Sequence, residues 1–172
     1  LATIAAADAV GLAIAIVVGL AAAPWLSTAL YGISPMDVRT FAATTTMRVG
    51  TAIIPIQTRD PLLAAMTAQS LADLSGGRFV LGLGTSTSVI VEDWHGRPWG
   101  KPLAGTREYV SLVRQLLAGE RVTAEGAFPM RRSSLARRSQ GAIPIYLGAL
   151  NDGMLRLAAE IADGVILNFV ST

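Results

Sequence analysis

The chain has 172 residues, of which 52% are hydrophobic and 15% charged, and a net charge of +2. This composition fits a single α/β domain with a buried parallel sheet and gives no sign of a general nucleic-acid binder. The sequence has no cysteine, which excludes a disulfide framework, a thiolate metal site and a cysteine nucleophile. Because this is compatible with a reducing compartment, we expect a cytoplasmic protein.

An uncharged segment from Ala9 to Met36 is long enough to span a bilayer. Gly19 and Pro24 interrupt it, and it divides naturally into a buried strand over 12–19 and a following loop. We therefore expect no membrane span. A helix over 34–46 comes next, with a serine and a proline at its start.

The middle of the chain alternates between strand and helix patterns. The sequence predicts a strand over 47–56, a helix over 61–74 and a strand over 78–84. Asp60 followed by Pro61 is a typical helix start, and Gly76 or Gly77 supplies the left-handed residue that closes the helix.

The second half continues this alternation after a long loop over 85–104. The predicted elements are a helix over 104–119, a small hairpin over 121–129, a basic loop over 131–139, a strand over 143–150, a helix over 152–162 and a strand over 164–170. The first of these helices has an apolar stripe made of Tyr109, Leu112, Val113, Leu116 and Leu117. Asp152 is in position to cap the second helix.

About five parallel strands with intervening helices predict an α/β fold, either a doubly wound sheet or an incomplete (β/α)8 TIM barrel. A full barrel usually needs about 250 residues. Both architectures place function at the carboxyl ends of the strands. At one such end, Gly82 and Gly84 give only part of a dinucleotide-binding glycine pattern, because Thr87 stands where the third glycine belongs.

Three blocks carry a family resemblance: GTAIIPIQTRDPLLAAMTAQSLADLSGGRFVLGLGTS (50–86), VEDWHGRPWGKPLAGTREYVSLVRQLLAGE (91–120) and IPIYLGALNDGMLRLAAEIADGVILNFVS (143–171). They resemble the luciferase-like monooxygenase family, in the branch that uses the deazaflavin coenzyme F-420. The resemblance implies that residues 1–172 form a single domain within a TIM barrel that lacks about one N-terminal strand and the last strand–helix units. It also implies that the glycines of the GLG sequence let the cofactor ring approach the backbone.

The resemblance further implies which residues touch the cofactor. Thr51, Ala52 and Ile53 would form a bulge, with a cis peptide bond at Ala52–Ile53, against the cofactor ring. The cofactor's ribityl or phosphate region would contact two groups of residues. One ends the strand over 78–84 and comprises Gly84, Thr85 and Ser86, and the other links the strand over 143–150 to its helix and comprises Ala149, Leu150, Asn151, Gly153 and Met154. An ionised Asp152 would oppose a phosphate at the second group.

His95 is the one histidine of the sequence. It is the candidate catalytic residue, as a proton or hydrogen-bond donor near the substrate, and a lone histidine predicts no multi-histidine metal site. The alternative is a structural histidine. A group of arginines, Arg131, Arg132, Arg137 and Arg138, is interpreted as a solvated loop that could also reach an acidic cofactor tail.

The resemblance thus predicts an oxidoreductase that transfers a hydride between coenzyme F-420 and a small organic substrate, with a homodimer as its assembly. Two alternatives stay open: an FMN-dependent monooxygenase of the same fold, and a non-catalytic partial barrel that binds a partner. The sequence GLAAAPW (19–25), where the second strand ends, contains no proton-transfer group and favours the last alternative. We also expect the isolated chain to self-associate through exposed strand edges.

Overall fold

The computed structural model describes residues 47–167. The predicted strand over 12–19, the helix over 34–46 and the uncharged segment lie outside the described residues. Within the described range, no helix is long and apolar enough to cross a membrane.

Eleven elements follow one another in this range. They are β1 (Val49–Gly50), β2 (Ile54–Pro55), α1 (Pro61–Leu74), β3 (Phe79–Gly84), a π-helix (Val89–Trp94), α2 (Pro102–Leu117), β4 (Val122–Ala124), β5 (Met130–Ser133), β6 (Ile145–Gly148), α3 (Asp152–Ile161) and β7 (Gly164–Ile166). The predicted alternation is confirmed. The π-helix was not predicted, because the sequence after Gly84 was interpreted as a loop throughout.

The main sheet is parallel. Strand β3 pairs with β1 and β2 on one side and with β6 on the other, and β6 pairs with β7. Strands β4 and β5 form a separate antiparallel hairpin. Since the main strands run the same way, their carboxyl ends lie along one edge, which we call the carboxyl edge.

The predicted strand over 47–56 is divided in two by a bulge. Before the division Gly50 pairs with Val80, and after it Ile54 pairs with Leu83. Between these two pairings the segment from β1 to β2 contains residues 51–53, whereas β3 contains only residues 81 and 82, and one extra residue on one strand defines a bulge. Thr51, Ala52 and Ile53 lie in this extra stretch, which we call the bulge segment.

The helix ends follow their local sequence. The Asp60 carboxylate accepts a hydrogen bond from Leu63 N at 2.9 Å and caps α1. Gly76 and Gly77 follow α1 with φ of +63° and +81°, so both adopt the predicted left-handed conformation. The predicted cap of α3 was wrong by one residue: Asn151, and not Asp152, accepts from Met154 N at 3.0 Å.

One face of the main sheet packs against helices α1 and α2, and the other face carries three of its glycines. Leu81, Leu83, Ile145 and Leu147 are buried in the main core with residues of α1 and α2. The predicted stripe of α2 is also fully buried there, which confirms it. Because side chains alternate along a strand, the other face carries Gly82, Gly84, Tyr146 and Gly148.

The hairpin is fixed to α2 by one carboxylate. Glu108 accepts hydrogen bonds from Ala127 N at 3.0 Å and Phe128 N at 3.1 Å. The predicted basic loop over 131–139 was wrong in part, because Arg131 and Arg132 belong to strand β5 and Arg137 forms an ion pair with Asp73 of α1. Strand β5 extends the hairpin to Ser133, beyond its predicted end at residue 129.

Candidate functional site

The bulge segment is held in place by the side chain of Thr51. Its hydroxyl donates a hydrogen bond to Gly82 O at 2.8 Å and accepts one from Gly82 N at 2.9 Å. These two bonds replace the pairing that the bulge interrupts in the strand ladder. Thr51 therefore supports the carboxyl edge through its hydroxyl, while its predicted contact with a cofactor stays a prediction.

Replacing Thr51 by valine should lower the free energy of unfolding by about 1–3 kcal/mol, because Gly82 N and O would both lose a partner that valine cannot supply. Thr51→Ser keeps the hydroxyl and should cost less than half as much. Urea unfolding of both variants checks this. Equal losses in the two variants would show that the hydroxyl contributes no more than the methyl group, and a Thr51→Val variant without any loss would show that the two hydrogen bonds do not stabilise the bulge segment.

Ile53 fills the space that two strand-end glycines leave open. A Cβ on Gly84 would lie 2.8 Å from Ile53 Cδ1, and a Cβ on Gly148 would lie 3.1 Å from Ile53 Cγ2. The expectation that the GLG glycines let the cofactor ring approach stays a prediction, and within the described residues these glycines receive other parts of the chain. Gly84 admits Ile53, and Gly82 admits the carbonyl of Thr51. Ala52 is exposed, and the bond between Ala52 and Ile53 is cis, at the place that the resemblance implied.

Thr85 and Ser86 continue from β3 at the carboxyl edge. Ser86 has a φ of +58°, which turns the chain away from the strand direction. The carbonyl of Thr85 accepts a hydrogen bond from Trp99 Nε1 at 3.2 Å. In the part of the chain that the structure describes, neither hydroxyl has a hydrogen-bond partner, so both are available to a polar ligand.

The residues from the end of β6 to the first turn of α3 divide into buried and accessible ones. Ala149 and Met154 pack with Leu157 in a small buried cluster. Leu150 is 72% exposed, Asn151 forms the cap, and Gly153 is half-buried. The first turn of α3 presents backbone N–H groups, and it also carries the exposed Asp152 carboxylate.

His95 lies just after the π-helix and is exposed. Its side chain has no hydrogen-bond partner among residues 47–167, and its backbone N–H donates to Glu92 O. Within that range no hydrogen bond or ion pair joins it to the bulge segment. The same range holds no group of three or more histidine, aspartate or glutamate side chains that could bind a metal ion.

Tyr109 is a supporting residue whose role the sequence did not reveal. Its hydroxyl donates to Arg59 O at 2.9 Å, and its ring meets that of Phe128 edge-on with centroids 5.0 Å apart. Burial raises the pKa of Tyr109 well above its ordinary value, and the nearby Asp60 carboxylate raises it further. The apolar stripe of α2 predicted only its burial. A tyrosine in such a stripe is itself a signal, because a buried hydroxyl needs a partner.

Comparison with known proteins agrees with this architecture. The sequence profile of the luciferase-like monooxygenases matches residues 3–172. A Mycobacterium tuberculosis protein, provisionally named a coenzyme F-420-dependent oxidoreductase, is 39% identical over 144 residues, which cover 76% of this chain and 42% of that protein. A 5,10-methylenetetrahydromethanopterin reductase of Methanolobus tindarius is 37% identical over 125 residues, covering 73% of this chain and 38% of that protein.

Among solved structures, the coenzyme F-420-dependent tetrahydromethanopterin reductase of Methanopyrus kandleri matches with a TM-score of 0.62 and 32% identity. The match covers 81% of this chain and 45% of that one. The chain thus spans less than half the length of these relatives, and its fold is part of a TIM-type (β/α) barrel. With the bulge, the parallel strands and the profile in agreement, the chain belongs to the luciferase-like monooxygenase family.

Proposed function

We propose that this chain is part of an oxidoreductase that transfers a hydride between coenzyme F-420 and a small organic substrate. The observation that carries the proposal is the bulge segment, which interrupts the pairing with β3 between Val80 and Leu83 and leaves Ala52 exposed. Relatives named for coenzyme F-420 support the choice of cofactor.

The bulge segment offers a surface for a planar ring. Ala52 is small and exposed, and Ile53 behind it is anchored over Gly84 and Gly148. Because Ile53 already packs against Gly84 and Gly148, this apolar surface is fixed in position and can support one face of a tricyclic ring. Thr51 fixes this surface relative to β3 through its two hydrogen bonds to Gly82.

Polar groups beside the bulge segment suit the rest of the coenzyme. The hydroxyls of Thr85 and Ser86 can bind ribityl or phosphate oxygens. The N–H groups at the start of α3, next to Leu150 and Asn151, can bind a phosphate. The Asp152 carboxylate opposes a phosphate there, so we place the phosphate nearer to Thr85 and Ser86.

When bound, coenzyme F-420 supplies the carbon that carries the hydride. The protein's part is to hold the ring, bring the substrate to its free face and exclude water. Trp99 helps by fixing the segment after the π-helix to the carbonyl of Thr85. In this proposal His95 is the candidate proton donor to the substrate.

An equilibrium titration of the protein with F-420 and with FMN tests the proposal. We expect saturable quenching of the fluorescence of F-420 and weaker binding of FMN. A preference for FMN would assign the chain to the flavin-dependent branch of the fold. No binding of either by folded protein would favour a non-catalytic, partner-binding role.

The variant Ala52→Phe locates the ring. A bulky side chain at the exposed Ala52 should weaken F-420 binding by about tenfold or more, because it occupies the surface where the ring lies. The matched control is Ala159→Phe, on the exposed side of α3. Equal affinities in both variants and the unchanged protein would contradict the placement of the ring.

A further inference from the structure

A cavity lies apart from the proposed coenzyme surface, and we call it the basic cavity. It has a volume of about 820 Å³, within the range of binding sites for small organic molecules. Three stretches line it: residues 56–63 after β2, residues 97–102 before α2, and residues 127–131 of the hairpin. None of the residues assigned above to the coenzyme is among its lining residues.

The walls of this cavity carry a marked excess of positive charge. Arg59, Arg97, Lys101 and Arg131 line it, against the single carboxylate of Asp60. Within residues 47–167 none of these four cations forms an ion pair, and Asp60 is already engaged as the cap of α1. Four unpaired cations converging on one concave surface raise the local concentration of anions.

Two helices add to this positive potential. Both α1 and α2 begin at the cavity, through Pro61 and Pro102, and a helix carries a partial positive charge at its N-terminus. Helix α2 receives no side-chain cap from Lys101. The N–H groups of its first turn can therefore donate to a bound anion, which would take the place of a capping side chain.

An unsatisfied amide also lines the cavity. Both polar atoms of the Gln57 side chain, Oε1 and Nε2, are shielded from solvent and have no hydrogen-bond partner in the described part of the chain. Most buried amides in proteins are hydrogen-bonded, and an unpaired one costs free energy. Rotation of the Gln57 side chain toward the cavity would let a ligand with both a donor and an acceptor pair with this amide and offset that cost.

We propose that this cavity binds an organic polyanion, that is, a phosphate ester or an oligocarboxylate with at least two clustered negative charges. The four cations would contact its charged groups, and the amide of Gln57 a polar group of its body. The proposal does not depend on the assignment of coenzyme F-420 to the bulge segment. It predicts a separate site whose wall is linked to β3 by the hydrogen bond from Trp99 to Thr85.

Isothermal titration of the whole chain with pyrophosphate and with triglutamate tests the proposal, with triglutamine as the uncharged control. We expect one or both polyanions to bind saturably, and the affinity to fall as NaCl rises from about 0.05 to about 0.5 M. Pyrophosphate binding alone would identify a phosphate-ester site, and triglutamate binding alone an oligocarboxylate site. Binding of triglutamine as tight as that of triglutamate would overturn the proposal.

The double variant Arg97→Gln with Lys101→Gln removes two exposed cations from the cavity. It should raise the Kd of the polyanion by about tenfold or more. The control, Arg121→Gln with Arg156→Gln, removes the same net charge from exposed positions that do not line the cavity. A loss of equal size in both, or absence of polyanion binding by the folded, unchanged protein, would refute the site. F-420 titration of the same variants separates the two sites, because the ring is proposed to lie at the bulge segment and both pairs of variants should keep saturable quenching of its fluorescence. Loss of F-420 binding in the cavity variant alone would show that the cavity holds the acidic tail of the coenzyme, and would overturn the separate site.

Discussion

Gly82→Ala is expected to lower the free energy of unfolding by about 3 kcal/mol or more, the largest effect of any single methyl group in the described range. The added Cβ would collide with the carbonyl oxygen of Thr51 and lie 2.8 Å from Ile166 Cδ1. The first contact is with backbone, so no rotation of a side chain relieves it. Relief requires the bulge segment to move away from β3, which also breaks the two bonds of the Thr51 hydroxyl.

Chemical denaturation, followed by circular dichroism, measures this effect. The matched control is Gly141→Ala, because no atom lies within 4 Å of a Cβ at that position and its φ is not positive. The control should be neutral or slightly stabilising, since alanine restricts the unfolded chain more than glycine does. If Gly82→Ala unfolds at the same denaturant concentration as Gly141→Ala, the close approach of Thr51 to β3 is wrong.

Tyr109→Ala is expected to cost about 3–5 kcal/mol, as truncation of a fully buried aromatic residue usually does. It removes the edge-on contact with Phe128 and leaves the Arg59 carbonyl without its donor. Tyr109→Phe keeps the ring and loses only the hydroxyl, so it should cost about 1–2 kcal/mol. Thermal unfolding of both variants gives the two contributions separately. A cost for Tyr109→Phe as large as that for Tyr109→Ala would contradict this partition.

The same hydroxyl gives the protein a sensitivity to alkaline pH. In the unfolded chain Tyr109 ionises near its ordinary pKa of about 10, whereas burial holds its folded-state pKa well above that value. The stability that this group contributes is therefore fully present below about pH 10 and is lost as the pH rises above it. Between about pH 9.5 and 11, Tyr109→Phe should lose stability less steeply than the unchanged protein. Parallel slopes would show that Tyr109 has the same pKa in both states.

Local signals were sufficient to predict most of the described fold. Asp60 with Pro61 fixed the start of α1, and the glycine pair fixed its end. The apolar stripe of α2 depends on a period of 3.6 residues, which the sequence displays directly. The cap of α3 was placed one residue late, because Asn151 and Asp152 are equally good caps and only the backbone conformation distinguishes them.

The candidate site was less accessible, because its contacts join residues far apart in the chain. The β-branched, apolar pattern over 47–56 runs through the bulge without a turn signal, so only the family resemblance, and no local signal, indicated the extra residue. The glycines at 84 and 148 indicate that something approaches closely, but not that it is Ile53. The cations of the basic cavity come from three separate stretches, and only the fold brings them together.

The seating of Ile53 over Gly84 and Gly148 also bears on how the carboxyl edge assembles. It joins three strands, and the third is separated from the others by α2 and the hairpin. Such a contact cannot form while neighbouring segments fold one at a time, because long loops must first be closed. The surface proposed for the cofactor ring is thus complete only when β6 has docked, so a nascent chain would acquire it only once β6 has been synthesised.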